Sequence, residues 1–222
     1  MIHLGSIGGT TIRVDLTFII LIVFFVASAY NPNHGLHYAL LWAPVLLISV
    51  LIHELAHAAA IALFGYGSSE IVLGGMGGVT MNRRKSRPWH DMTISLAGPV
   101  SSFVIWLAML LAYARFPLLR RDAMLVVFIP MLAQANLWWG IFNLLPISPL
   151  DGGQAVRNFF RMFLTERTAF VIAVWIAMIA GVAVAVLGLK KGMIFLTLLI
   201  GWYVYMNYQA WQHFREHGVP GD

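Results

Sequence analysis

Apolar residues fall along the chain in six long blocks, roughly 16–30, 38–64, 92–114, 123–145, 168–189 and 193–211, parted by short polar or turn-forming stretches. Blocks near 20 residues predict helices long enough to cross a hydrocarbon layer about 30 Å thick. The first block is short. Asn31, Pro32, Asn33 and Gly35 separate the first pair, and Lys190 and Lys191 the last. Between the second and third blocks, residues 65–90 alternate apolar and polar positions around Gly74, Gly75, Gly77 and Gly78, which predicts a short β-hairpin or re-entrant loop. Non-helical backbone at membrane depth persists only where protein or a cavity surrounds it. Residues 146–168 carry Pro146, Pro149, Gly152 and Gly153, and then a short helix is expected over 154–163. The pattern predicts an all-α polytopic membrane protein with about six transmembrane helices and a short re-entrant β-hairpin. There are no repeats, and no stretch outside the spans is long enough for a separate soluble domain.

Composition agrees with this class. Of the 222 residues, 60% are hydrophobic and 10% charged, against about 25% charged in ordinary soluble domains. Cysteine is absent, so disulfides and thiolate ligands are excluded and a transition metal must bind through His and carboxylate. The net charge of +5 does not point to nucleic acid, because the basic residues sit at span ends, where they meet lipid headgroups. The cluster Arg83, Arg84, Lys85 and Arg87 reads as a cytosolic membrane anchor. With the N-terminus inside, the inner segments hold nine basic residues (Arg13, Arg83, Arg84, Lys85, Arg87, Arg157, Arg161, Arg167, Arg215) and the outer loops five (Arg115, Arg120, Arg121, Lys190, Lys191). The positive-inside rule then predicts both termini in the cytosol. No basic leader precedes Leu16 and no small-residue cleavage site precedes Asn31, so the first block is expected to be a retained span.

The second span contains His53-Glu54-Leu55-Ala56-His57. Residues four apart share a helix face, so both imidazoles can reach one Zn²⁺ at about 2.0–2.1 Å. Glu54, beside the first ligand, is placed to take a proton from water. A carboxylate inside a span is costly and marks function more often than packing, although a polar cluster pinning helix to helix would have the same composition. A third ligand must come from elsewhere. The segment Asn143-Leu144-Leu145-Pro146-Ile147-Ser148-Pro149-Leu150-Asp151-Gly152-Gly153 offers one. Its prolines stop the fourth helix and its glycines permit a tight turn, so Asp151 is either a ligand or a cap for the short helix that follows. In an alternating topology the second and fourth spans both run inward, which brings His53, His57 and Asp151 to the same side of the membrane. Asn136 is expected to be structural. His213 and His217, also four apart, are expected in a solvated tail. Ser95, Ala97, Gly98, Ser101 and Ser102 are small enough for close helix packing.

These residues resemble the site-2 protease family of intramembrane zinc metalloproteases. The family pairs H-E-x-x-H in one span with N-x-x-P-x-x-x-L-D-G at the end of a later one. Here the second motif is Asn143, Pro146, Leu150, Asp151 and Gly152. The glycine loop Gly74–Gly78 and Ala97-Gly98-Pro99 are further points of likeness. The resemblance implies a single metalloprotease domain over 1–222, with a catalytic core at about 16–157 and additional spans at about 168–211. It implies one Zn²⁺ per chain on His53, His57 and Asp151, and Glu54 as general base. Asn143 is implied in binding substrate or oxyanion, and the Gly74, Gly75, Gly77 and Gly78 loop in receiving a substrate strand. The partners implied are the bilayer and a membrane protein whose transmembrane segment is cut. The setting expected is a prokaryotic cell membrane. The form is short, without the PDZ or nucleotide-sensing domains that many members carry. The rival is a non-catalytic zinc-containing protein that binds transmembrane segments, which would have no use for Glu54.

Overall fold

The structure is a computed structural model that describes residues 1–33, 35–81 and 87–217; His34, Arg83, Arg84 and Lys85 therefore lie outside the described residues. The chain divides into two compact units, Met1–Lys85 with Ala97–Ile141, and Ser86–Leu96 with Phe142–Asp222.

The first unit begins with strands β1 (Ile2–Ile7) and β2 (Thr10–Val14), followed by helices α1 (Leu16–Ala29), α2 (Leu36–Leu40) and α3 (Trp42–Leu63). Strands β3 (Glu70–Gly74) and β4 (Gly77–Met81) come next, then most of α4 (Pro88–Arg115) and α5 (Leu125–Asn143). The expected hairpin is β3–β4. The expectation of one hairpin in an all-α chain is corrected by the four-stranded sheet β1-β2-β3-β4, in which β2 pairs parallel to β3 and the other neighbours are antiparallel. The β1–β2 turn uses Gly8 and Gly9 at φ 56° and 83°, conformations that tight hairpins demand and glycine adopts without strain. Side chains alternate across a strand, so Ile12, Val14, Ile71 and Leu73 all bury one face of β2 and β3 among Phe18, Val50 and Ala58.

Asp15 caps α1, accepting from the Thr17 backbone at 3.0 Å and from its hydroxyl at 2.6 Å. Those bonds, the hydroxyl's first, hold the Asp15 carboxyl below its ordinary value. Thr17 Oγ1 in turn accepts from the Gly75 N–H at 2.9 Å, which ties the β3–β4 turn to the start of α1. The second span is divided into α2 and α3 at Leu41. Pro44 explains the break, because it lacks the N–H that would continue the ladder and is tolerated only in a first turn.

The second unit holds the start of α4 with α6 (Asp151–Arg161), α7 (Glu166–Lys190) and α8 (Ile194–His217). Helices α7 and α8 pack through small residues: a Cβ on Gly181 would collide with Val204, and one on Gly188 would stand 2.8 Å from the Thr197 hydroxyl. Ile147, Leu150, Ile200 and Tyr203 form a core. An ion cluster ties α6 to α7. Arg161 reaches Glu166 at 2.5 Å, Asp91 at 3.2 Å and Asn158 at 2.7 Å, and Arg157 reaches Glu166 at 2.5 Å. His213 and His217 belong to α8 rather than to a tail, with their rings stacked at 4.6 Å.

Among the described residues, four helical segments are long and apolar enough to cross a membrane: Leu36–Leu63, Pro88–Arg115, Leu125–Asn143 and Glu166–Lys190. Helix α1 is apolar but has 14 residues, and α8 ends in the polar stretch up to His217, so the count of about six spans does not follow from length and composition alone.

Candidate metal centre

Helix α3 places His53, Glu54 and His57 at 2%, 4% and 6% exposure, and one turn separates the two imidazole rings, whose centroids are 4.9 Å apart. His53 Nδ1 is 3.0 Å from the hydroxyl of Ser102, itself fully buried on α4. A histidine nitrogen so engaged fixes the ring's orientation and leaves the chemistry to the other nitrogen. That other nitrogen points toward Gly98. A Cβ there would collide with His57 Nε2 and lie 2.5 Å from His53 Nε2, so glycine is required for the two rings to stand where they do. Pro99, next to it, is fully buried and contributes no backbone donor.

Glu54 is held from the sheet. Thr80 on β4 donates its hydroxyl to Glu54 Oε2 at 2.7 Å and lies 3.2 Å from the Glu54 carbonyl oxygen. Gly78, two residues earlier and so on the same face of β4, lies directly against Glu54: a Cβ there would collide with Cγ and come within 2.5 Å of Oε1. The turn before it is fitted to Trp139 of α5, since a Cβ on Gly77 would stand 2.9 Å from that ring. The Trp139 ring also meets His53 edge-on at 6.4 Å. Of the loop glycines, Gly78 and Gly77 thus touch the α3 and α5 side, whereas Gly74 and Gly75 face Thr17.

In the second unit, Asp151 is the first residue of α6, and Leu150 is the N-cap with no side-chain cap bond. Asp151 is therefore not the cap, although an acid in a first turn is favoured by the helix dipole. Gly152 and Gly153 do not make a turn, contrary to expectation. Both lie inside α6 without positive φ, and their lack of Cβ lets the helix approach the backbone of Leu144, Ile147 and Ser148. Asn207 on α8 fixes that same segment by donating to the Ser148 carbonyl at 2.7 Å. Asn143 is the last residue of α5 and half-buried.

His53 and His57 offer two imidazole nitrogens in the first unit, and Asp151 a carboxylate in the second. A group of two imidazoles and one carboxylate fits Zn²⁺, which takes three such protein ligands and keeps a further position open in catalytic sites. The space that Gly98 leaves between the Nε2 atoms fits the same ion. Asn136 is structural, as expected: fully buried, it donates to Ser49 Oγ and to the Leu132 carbonyl, both at 2.9 Å.

Sequence reasoning missed Thr80, Trp139 and the role of Ser102. Ser102 is four residues after Gly98, the spacing that puts it on the glycine's face of α4. Thr80 is two after Gly78, the spacing that puts it on the glycine's face of β4. Each spacing gives the face, but not which element lies opposite it.

The profile of the Peptidase M50B-like family matches residues 16–149, and that of peptidase family M50 matches residues 118–188. A zinc metalloprotease of Methanocaldococcus jannaschii is 28% identical over 199 residues, which cover 90% of this chain and 56% of that protein. Rip3 of Mycobacterium tuberculosis is 30% identical over 228 residues, covering 92% of this chain and 56% of its own length. The chain thus spans little more than half of these relatives. Among solved structures, the site-2 protease from Methanocaldococcus jannaschii superposes with a TM-score of 0.69 at 26% identity, covering 94% of each chain.

Proposed function

The chain belongs to the Peptidase M50B-like family of site-2 protease type, and on that premise we propose that it is an intramembrane zinc metalloendopeptidase that hydrolyses peptide bonds within or near transmembrane segments. His53, His57 and Asp151 hold one Zn²⁺ per chain, and Glu54 is the general base. The observation that carries this reading is the pair of buried imidazoles one turn apart on α3, with the buried Glu54 carboxylate next in sequence to His53.

Bound Zn²⁺ supplies Lewis acidity, which polarises a carbonyl and acidifies water. Glu54, held by Thr80, takes the proton of the attacking water and passes it to the leaving amine. Ser102 keeps His53 in the orientation that presents Nε2. Asn143 binds the substrate or the developing oxyanion through its amide.

A peptide bond inside a helix has its carbonyl hydrogen-bonded and crowded, so the substrate unwinds locally before it is cut. Unsatisfied backbone groups in lipid cost several kcal/mol each, and the Gly74–Gly78 hairpin supplies partners. β4 is the last strand of the sheet. Gly74 pairs with Gly77 across a two-residue turn. In such hairpins that pair is hydrogen-bonded and the pairs alternate outward, so Gly78 and Thr80 aim their backbone groups at the open edge. An extended segment adds there as a further strand. Substrates are therefore single transmembrane segments with helix-weakening Gly, Pro or Asn, cut toward the cytosolic side. The chain crosses the bilayer six times, counting α1 and α8, with both termini cytosolic in a prokaryotic cell membrane.

The test compares the full chain with Glu54→Gln and with the double variant His53→Ala/His57→Ala, by metal analysis and by hydrolysis of a transmembrane peptide with and without chelator. Wild type carries one zinc and the double variant none. Glu54→Gln keeps its zinc and loses about 10²–10⁴-fold in turnover. Full zinc in the double variant, or wild-type turnover by Glu54→Gln, overturns the assignment.

A further inference from the structure

The bond between Thr80 and Glu54 joins the sheet to the proposed base. A carboxylate at 4% exposure in the interior of a helix, whose backbone donors are used in the helix itself, obtains its hydrogen bonds from side chains of other elements. One comes from the Thr80 hydroxyl at 2.7 Å. That hydroxyl also stands 3.2 Å from the Glu54 carbonyl oxygen, but it has one proton, and the shorter contact is to the carboxyl oxygen. A carboxylate has two oxygens that exchange by rotation about its last bond. A donor on one of them, with the wall of Gly78 beside the other, selects a single orientation.

We propose that Thr80 is the positioning residue for Glu54. Its hydroxyl fixes the orientation of the carboxylate, with Oε1 set against Gly78. This rests on the assignment of Glu54 as base. It carries a consequence for substrate. Gly78 and Thr80 are the residues whose backbone groups face the open edge of β4, and the same two hold Glu54 through the other side of the strand. A segment pairing with β4 thus meets the residues that align the base, so capture of an extended substrate and alignment of the base take place on one strand.

The test uses Thr80→Val and Thr80→Ser in the full chain, with wild type and Glu54→Gln alongside, reading zinc content, thermal unfolding, kcat and KM on a transmembrane peptide. Valine keeps the β-branched shape that suits a strand and removes only the donor. Thr80→Val lowers kcat by about 10- to 100-fold, the usual cost of losing a supporting hydrogen bond at a metal site, with KM, zinc content and unfolding temperature as in wild type. Thr80→Ser, which keeps the hydroxyl, restores most of kcat. Wild-type kcat in Thr80→Val overturns the proposal while leaving Glu54 in place. So does a Thr80→Ser variant as slow as Thr80→Val, which would assign the effect to the methyl group, or a Thr80→Val defect that appears as lost zinc or raised KM alone. Equal turnover of wild type and Glu54→Gln overturns the functional assignment itself, and the role of Thr80 with it.

Discussion

Two polar regions of this apolar chain are built on opposite plans. In the α6–α7 cluster, charge answers charge: Glu166 takes Arg157 on one oxygen and Arg161 on the other, while Arg161 also meets Asp91 and Asn158. Around α3 neutral hydroxyls meet two of the key side chains, each with a glycine close against another of its atoms. His53 meets Ser102 through Nδ1 and Gly98 through Nε2, and Glu54 meets Thr80 through Oε2 and Gly78 at Oε1. A cluster whose charges are mutually compensated is suited to stapling helices. A site whose groups are oriented by neutral donors, with side-chain volume withheld on one face, is suited to chemistry. The difference separates the two jobs by environment rather than by residue type, since each region contains Glu.

The largest test of that difference is Gly98→Val, which puts carbon where the Nε2 atoms converge. Zinc affinity should fall by more than the roughly 10- to 100-fold that loss of one supporting contact costs. Gly201→Ala, at a glycine with nothing within 4 Å of an added Cβ, should leave zinc intact; equal zinc in both would deny that the withheld volume matters. Next comes Ser102→Ala, which removes the hydroxyl 3.0 Å from His53 Nδ1. It should weaken zinc binding by about 10- to 100-fold without unfolding the chain, as measured by competition with a chelator, and unchanged affinity would remove Ser102 from the site. The smallest effect is expected from Arg161→Met. Its partly exposed ion pairs are worth on the order of 1 kcal/mol, so thermal stability should drop slightly while zinc content holds. Loss of zinc in that variant would erase the contrast between the two regions.

The helices and the His53–His57 motif were legible because long apolar blocks and a four-residue ligand spacing are local signals. The hairpin at β3–β4 was legible from its glycines. The β1–β2 hairpin was not, since attention to long apolar runs begins at Leu16, although Gly8-Gly9 followed by the alternating Thr10–Val14 is a turn-and-strand pattern. Asp151 could be read only as ligand or cap, because local sequence does not tell N1 from N-cap. The two loop glycines after it were misassigned for a related reason. Glycine serves positive φ and close backbone approach alike, and Gly152 and Gly153 turn out to serve the second. Thr80 and Ser102 escaped notice because their meaning depends on which helix lies opposite, a long-range fact that strand and helix periodicity alone do not carry.

The parallel pairing of β2 with β3 bears on biogenesis. Residues Thr11–Val14 align with Glu70–Leu73, and parallel neighbours require a crossover between them, which here consists of α1, α2 and α3. During synthesis the N-terminal hairpin therefore emerges without its partner and waits while the histidine-bearing helix is made and inserted. Its docking is a late, non-local step of the kind that slows folding. The hairpin and the histidine-bearing helix are thus delivered to the ribosome exit in the reverse of the order in which they can pack. A nascent chain halted before Glu70 should present the β1–β2 hairpin with the β3-facing edge of β2 unpaired, open to chaperones or to strand exchange with a neighbour.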